Sequence, residues 1–312
     1  MRWGDFRRSD NVEDRTDEVS GGGFPGGGGI KLGGGALVVV VVASLLFGVN
    51  PLEVIGLIEG GGPPPSSQSQ TPPGYGPQRA PAPGQRAPAP GQPPPSTAQK
   101  DPSKDFVAAI LGDTEDTWSA VFKAMGARYE PPRLVLFRGV TRSQCGSASA
   151  ATGPFYCSAD RELYLDTAFF AELSRRFGAP GDFAQAYVIA HEVGHHVQNL
   201  TGTMQKFDQQ MQRLDARGRN ALSIRLELQA DCYAGVWGYF AQRRNKLEPG
   251  DLEEGFRAAS AVGDDQIQKR TQGVVVPESF THGTAEQRLR WFKTGIETGD
   301  MRKCDTFGAS AL

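Results

Sequence analysis

Apolar positions are distributed along the chain in several distinct patterns. From Gly33 to Val49 they run as GGGALVVVVVASLLFGV, 17 residues without a charge. That is the shortest stretch able to cross ~30 Å of hydrocarbon as a helix, and apolar residues up to Ile58 extend it. A transmembrane helix is therefore expected over 33–58. The stretch RELYLDTAFF (Arg161–Phe170) alternates instead, which predicts a strand. In VIAHEVGHHVQNL, Ile189, Val193 and Val197 recur every fourth position, one stripe of a helix. Asp182 before this stretch and Gly202 after it read as N-cap and stop, giving a helix over roughly 183–200. A further helix is expected over 224–240, where Leu226, Tyr233, Trp237 and Phe240 continue a stripe begun by Leu222.

Composition divides the chain further. Residues 1–31 carry interspersed charges and the run GGGFPGGGG, with too little apolar surface to offset the entropy of ordering. Residues 60–103 hold 14 of the 22 prolines and a repeated QRAPAPG, which favours extended polyproline II. The expected plan is a disordered cytoplasmic N-terminus (1–31), a membrane anchor (33–58), a disordered Pro/Gly-rich spacer (60–103) and one folded domain (104–312).

A cleaved signal peptide fits 33–58 poorly, because the preceding region is long and acidic as well as basic and no clear cleavage site follows. Orientation follows from Arg2, Arg7, Arg8, Arg15 and Lys31, which precede the apolar run, whereas no basic residue follows until Arg79. That asymmetry places the N-terminus in the cytoplasm and the domain outside, at the cell membrane with a single pass. Outside the cytoplasm the four cysteines should form two disulfides, and of the three possible pairings the favoured one is Cys145–Cys157 with Cys232–Cys304. The formal net charge of −2 provides no basic field, so nucleic acid is not expected as a partner.

Three of the chain's four histidines fall in VIAHEVGHHVQNL, where His191, Glu192 and His195 form His-Glu-x-x-His. On a helix His191 and His195 lie one turn apart on one face, spaced for two imidazoles to share a zinc ion. Glu192 sits to the side, placed as general base toward a zinc-activated water. His196 faces elsewhere and reads as an ordinary polar residue.

A catalytic zinc ion usually takes three protein ligands. No third histidine follows at metzincin spacing, so a carboxylate is needed. Glu227 is the best candidate: small residues around it (Ala230, Ala234, Gly238) would let its helix approach Ala190 and Gly194 closely. Asp231, one turn on, could accept the outer N–H of a ligating histidine. Asp208, Asp215 and Glu248 are weaker candidates. His282 precedes a helix that Thr284 and Gln287 could open as a capping box. There it would either stabilise an oxyanion as a catalytic residue or only brace the loop.

HEVGHHVQ, ELQADCYAGVW and THGTAEQRLRW, in this order, resemble the bacterial neutral zinc metallopeptidases, a gluzincin-like group. The resemblance runs from about Lys104 to the C-terminus. It implies Zn2+ held by His191, His195 and Glu227, with Glu192 as base. It also implies an α+β fold, a mainly helical minimal zincin domain with a small sheet beside the active-site helix. In related peptidases a strand such as 161–170 pairs with an extended substrate. The function expected is hydrolysis of peptide bonds in a peptide or protein substrate. The alternatives are a zinc-containing binding or regulatory protein without proteolysis, and a zinc hydrolase of a non-peptide amide.

Overall fold

The computed structural model describes residues 1–17, 102–149 and 152–312. The expected membrane segment at 33–58 and the expected spacer, apart from its last two residues, lie outside them. Among the described residues no helix is long and apolar enough to cross a membrane.

The fold is mixed α+β and mainly helical. Its elements in chain order are β1 (Val12–Asp14), α1 (Pro102–Ala124), β2 (Arg133–Phe137), β3 (Val140–Ser143), β4 (Gly146–Ser149), β5 (Phe155–Cys157) and β6 (Glu162–Asp166). Then follow α2 (Phe169–Arg175), α3 (Asp182–Leu200), α4 (Thr203–Met211), α5 (Ala216–Arg243), α6 (Asp251–Ala261), α7 (Asp264–Thr271) and α8 (Ala285–Thr298). Pro102 and Ser103, expected in the spacer, already belong to α1, where proline suits the first turn because N–H groups there have no acceptor within the helix.

The main sheet has the order β1-β2-β6-β5, with β1, β2 and β6 parallel and β5 antiparallel to β6. β3 and β4 form a separate hairpin. The strand expected over 161–170 is shorter, Glu162–Asp166, and Phe169 and Phe170 open α2 instead. It is also an inner strand, bonded on one side to β2 and on the other to β5, so its edges are already filled. Pairing of an extended substrate with this strand is therefore ruled out; among the described residues the outer strands of the main sheet are β1 and β5.

The expectation of disorder over 1–31 fails for residues 1–17. Arg7 binds Glu115 (2.7 Å) and Asp116 (2.9 Å), Arg8 binds Asp105 (2.6 Å), and Ser9 Oγ donates to Glu115 (2.6 Å). Phe6 is buried, and Val12–Asp14 adds a parallel strand to Leu134–Leu136. The segment is poor in apolar surface by itself, and it is ordered by the acidic face of α1, about 100 residues further along the chain.

α3 passes through the centre of the domain, with Val193 and Val197 fully buried as their spacing predicts. Its start differs from the expectation. Asp182 is the first helical residue and makes no cap; its carboxylate faces the Met1 amine at 2.8 Å. Glu254 from α6 does the capping, accepting from the Phe183 N–H at 3.2 Å. Glu248, a weaker ligand candidate, lies 3.1 Å from the same Met1 amine. Asp215, another, is the N-cap of α5 and accepts from the Gly218 N–H at 2.8 Å.

Glycine sets how closely the helices approach. A Cβ on Gly194 of α3 would stand 2.9 Å from the Ala230 carbonyl oxygen of α5, as the small-residue pattern predicts. A Cβ on Gly295 of α8 would overlap the Cys232 carbonyl at 2.0 Å. Helices α3, α5 and α8 therefore stack almost backbone to backbone. Both expected disulfides are present, Cys145–Cys157 beside the hairpin and Cys232–Cys304 tying α5 to the C-terminal segment.

Candidate metal centre

α3 and α5 bring three donors to one point. His191 Nε2 lies 3.2 Å from Glu227 Oε2, and His195 Nε2 lies 3.5 Å from Glu227 Oε1. The ligand atoms of these three residues fall within 4.8 Å of one another. Two neutral imidazoles and a carboxylate are the donor set of a catalytic zinc site. Asp231 lies behind His191, with Oδ1 2.8 Å from Nδ1. An ionised carboxylate can only accept, so Nδ1 carries a hydrogen toward Asp231, and Nε2 is the nitrogen left to a metal on the Glu227 side. The two imidazoles, Glu227 and Asp231 thus sit where the spacing placed them.

Two features of the site were not anticipated. Arg288 from α8 grips Asp231 with two parallel bonds, Nε to Oδ2 and Nη2 to Oδ1, both 2.8 Å. The Tyr187 hydroxyl donates to Asp231 Oδ1 at 2.5 Å and accepts from Arg288 Nη2 at 3.1 Å. All three groups are buried. One sequence signal could have revealed Arg288: it occupies the same stripe of α8 as Trp291, Phe292 and Gly295, where a surface arginine would not fall.

The electrostatics follow from burial working against paired charges. Burial pushes Asp231 toward its neutral form, but Arg288 and His191 outweigh it and hold the carboxyl down at about 2. For His191 burial acts downward, and the Asp231 charge and hydrogen bond overcome it, raising the imidazole to about 10. Glu227 is lowered well below the usual carboxylate range despite burial, chiefly by His282 and His195. Glu192 behaves differently: burial raises its carboxyl, and the nearby imidazoles offset this only in part. Its side chain lines a small pocket between α3 and the sheet, together with Pro154, Leu163, Leu165 and Ile189.

His282 stands on the loop before α8, and the predicted capping box of Thr284 and Gln287 is present. Asp264 Oδ2 accepts from the backbone N–H groups of Thr281 (2.7 Å), His282 (2.7 Å) and Gly283 (3.1 Å). Asp264 Oδ1 lies 3.1 Å from His282 Nδ1. One carboxylate thus holds both the loop and its imidazole. Burial works against protonation of His282, while the charges of Glu227 and Asp264 outweigh it and raise the imidazole above its ordinary value. His196 is no ligand, as expected. Its Nε2 lies 2.7 Å from the Glu130 carbonyl and its Nδ1 3.1 Å from the Tyr156 hydroxyl, joining β5 to α3.

The profile of the family described as "Putative neutral zinc metallopeptidase" matches residues 1–307. The chain belongs to this family. The match includes the N-terminal segment, consistent with its packing on the domain. The chain is 46% identical over 310 residues to the uncharacterized protein YpfJ of Escherichia coli (strain K12), covering 99% of this chain and 100% of that protein. It is also 44% identical over 218 residues to the uncharacterized protein Rv2575 of Mycobacterium tuberculosis (strain H37Rv), covering 66% of this chain and 73% of that protein. No solved structure matches. Zinc is the metal in the family's description, and His191, His195 and Glu227 are the residues that fit it.

Proposed function

We propose that this protein is a zinc-dependent peptidase that hydrolyses peptide bonds with Glu192 as general base. The observation that carries the reading is the convergence of His191, His195 and Glu227 within 4.8 Å, with Glu192 one residue along the same helix. Zinc in such a site supplies Lewis acidity to a water molecule and to the scissile carbonyl. The chain's own groups do the remainder. Glu192, its proton affinity raised by burial, takes a proton onto its carboxylate from the attacking water and passes it to the leaving nitrogen. His282, braced by Asp264, offers an N–H to the oxygen on which negative charge develops. Asp231 and Arg288 keep the His191 ring in one tautomer and one orientation.

The test uses an unfolded protein substrate and the variant Glu192→Gln. Turnover should fall by at least ~100-fold, within the range general acid–base groups contribute, while zinc content stays at wild-type level. Equal turnover in the two proteins would remove Glu192 from its role.

The cellular placement rests on sequence together with packing. Two disulfides suit an oxidising compartment, so we place the domain outside the cytoplasm. With the domain attached to a membrane through the run 33–58, both flanks of that run would then lie on the same face. Docking of residues 1–17 on α1 and β2 supports the same side for that segment. Arg7 and Arg8, counted as cytoplasmic markers, are paired with the domain's own carboxylates. Labelling of intact cells at single cysteines introduced near Asp17 and near the C-terminus should report both outside; labelling of one alone would refute the placement.

A further inference from the structure

We infer that Gln198 is a positioning residue for the metal site, fixing the tautomer of His195 through two backbone carbonyls, one on α5 and one in the C-terminal segment. This rests on the zinc reading above. Gln198 is fully buried on α3, one turn after His195. Its Oε1 lies 2.8 Å from His195 Nδ1, and its Nε2 donates to the Leu226 carbonyl at 2.7 Å and to Gln229 Oε1 at 3.2 Å. Gln229, also buried, donates through its own Nε2 to the Cys304 carbonyl at 2.9 Å.

The direction of every bond in this relay follows from its ends. A backbone carbonyl can only accept, so the Leu226 oxygen requires the NH2 end of Gln198 on its side. The Cys304 oxygen requires the same of Gln229, which turns the Gln229 oxygen toward Gln198. Both constraints point the Gln198 oxygen at His195. His195 Nδ1 must then carry a hydrogen, which leaves Nε2 as the nitrogen a metal would take, on the Glu227 side.

The two imidazoles are therefore oriented by unlike means. His191 leans on a carboxylate neutralised by Arg288, whereas His195 leans on a neutral amide. A second carboxylate in the place of Gln198 would face the Leu226 and Gln229 oxygens, with no arginine near it in the relay. An amide is the side chain of this length that accepts from the imidazole and donates to both oxygens. Leu226 immediately precedes Glu227, so the same bond also ties the backbone beside one ligand to the side chain orienting another.

The test measures zinc affinity by chelator competition in the wild-type protein, Gln198→Leu and Gln229→Leu. It is paired with proton NMR of the cobalt(II)-loaded proteins, in which the exchangeable Nδ1–H protons of ligating histidines are resolved. Gln198→Leu should bind zinc about 10–100-fold more weakly and lose the slowly exchanging proton of His195, while that of His191 remains. Gln229→Leu removes one of the two acceptors that hold the Gln198 amide and should weaken zinc in the same direction by a smaller factor. Should Gln198→Leu fail to fold, Gln229→Leu decides the matter alone. Wild-type affinity and both protons in either folded variant would overturn the inference, even with a lowered melting temperature. A wild-type protein that binds no zinc would instead sink the reading beneath it.

Discussion

Arg288 and Asp231 form a buried, two-bonded ion pair directly behind His191, the imidazole that opens the metal site. Breaking such a pair leaves one charge without compensation, at a cost of about 3–5 kcal/mol, whereas replacing both partners by apolar groups can be neutral. Arg288→Met and Asp231→Leu should each destabilise the fold by that order in urea denaturation. The double variant should recover most of the stability but not the zinc affinity, since His191 Nδ1 has then lost its acceptor. A double variant with wild-type zinc affinity would show that Asp231 does not orient His191.

His196 makes stability depend on pH. Burial lowers its pKa from 6.5 to about 4, opposed only in part by the bond to the Glu130 carbonyl. The folded protein therefore holds a neutral imidazole where the unfolded chain would bind a proton. This contribution is complete above pH ~6.5 and is lost as the pH falls from there toward 4, about 3 kcal/mol in all. His196→Asn should be less stable at neutral pH and show a shallower loss of stability across that window, measured as denaturation midpoints at several pH values. A variant with the same acid sensitivity as wild type would assign that sensitivity to other groups.

Docking of the N-terminal segment gives an unusual sign. Gly112 lies within α1, where exchange for alanine ordinarily stabilises a helix by roughly 0.5–1 kcal/mol. Here a Cβ would stand 2.4 Å from the Arg7 carbonyl oxygen, so Gly112→Ala should destabilise and expose residues 1–17 to proteolysis. Thermal melting and limited proteolysis check this together. A stabilised variant would mean the segment is not seated on α1.

How much was legible in the sequence depends on how local each determinant is. His191, Glu192, His195 and Val197 are set by spacing along one helix, and Glu227 and Asp231 by spacing along another, so one-dimensional pattern sufficed. The closeness of α3 and α5 was readable from Gly194 and Ala230 for the same reason. Determinants supplied from elsewhere were not. Glu254 caps α3 from a different helix and displaces Asp182 from that role. Whether 162–166 is an edge or an inner strand depends on β2 and β5, not on its own alternation. Residues 1–17 resemble disordered sequence until the carboxylates of Asp105, Glu115 and Asp116 are brought to them. Asp264, a polar residue in a polar stretch, carried no local mark of its hold on His282.

The Cys232–Cys304 bridge closes a loop of 72 residues. Chain-entropy arguments assign ~4 kcal/mol to a closure of that length. The bridge also holds the segment whose carbonyls at Thr306 and Ala309 accept from Arg225. The paired change of Cys232 and Cys304 to serine should lower stability by about that amount, and reductant should then have little further effect through this bridge. Stability equal to wild type would show that the C-terminal segment is held without it.

The central claim is that Glu227 completes a zinc site with His191 and His195. Chelator competition on Glu227→Gln beside wild type tests it most directly. One zinc per wild-type chain and binding at least ~100-fold weaker in the variant are expected, since an ionised ligand is replaced by a neutral one. Equal zinc affinity in the two proteins would contradict the account.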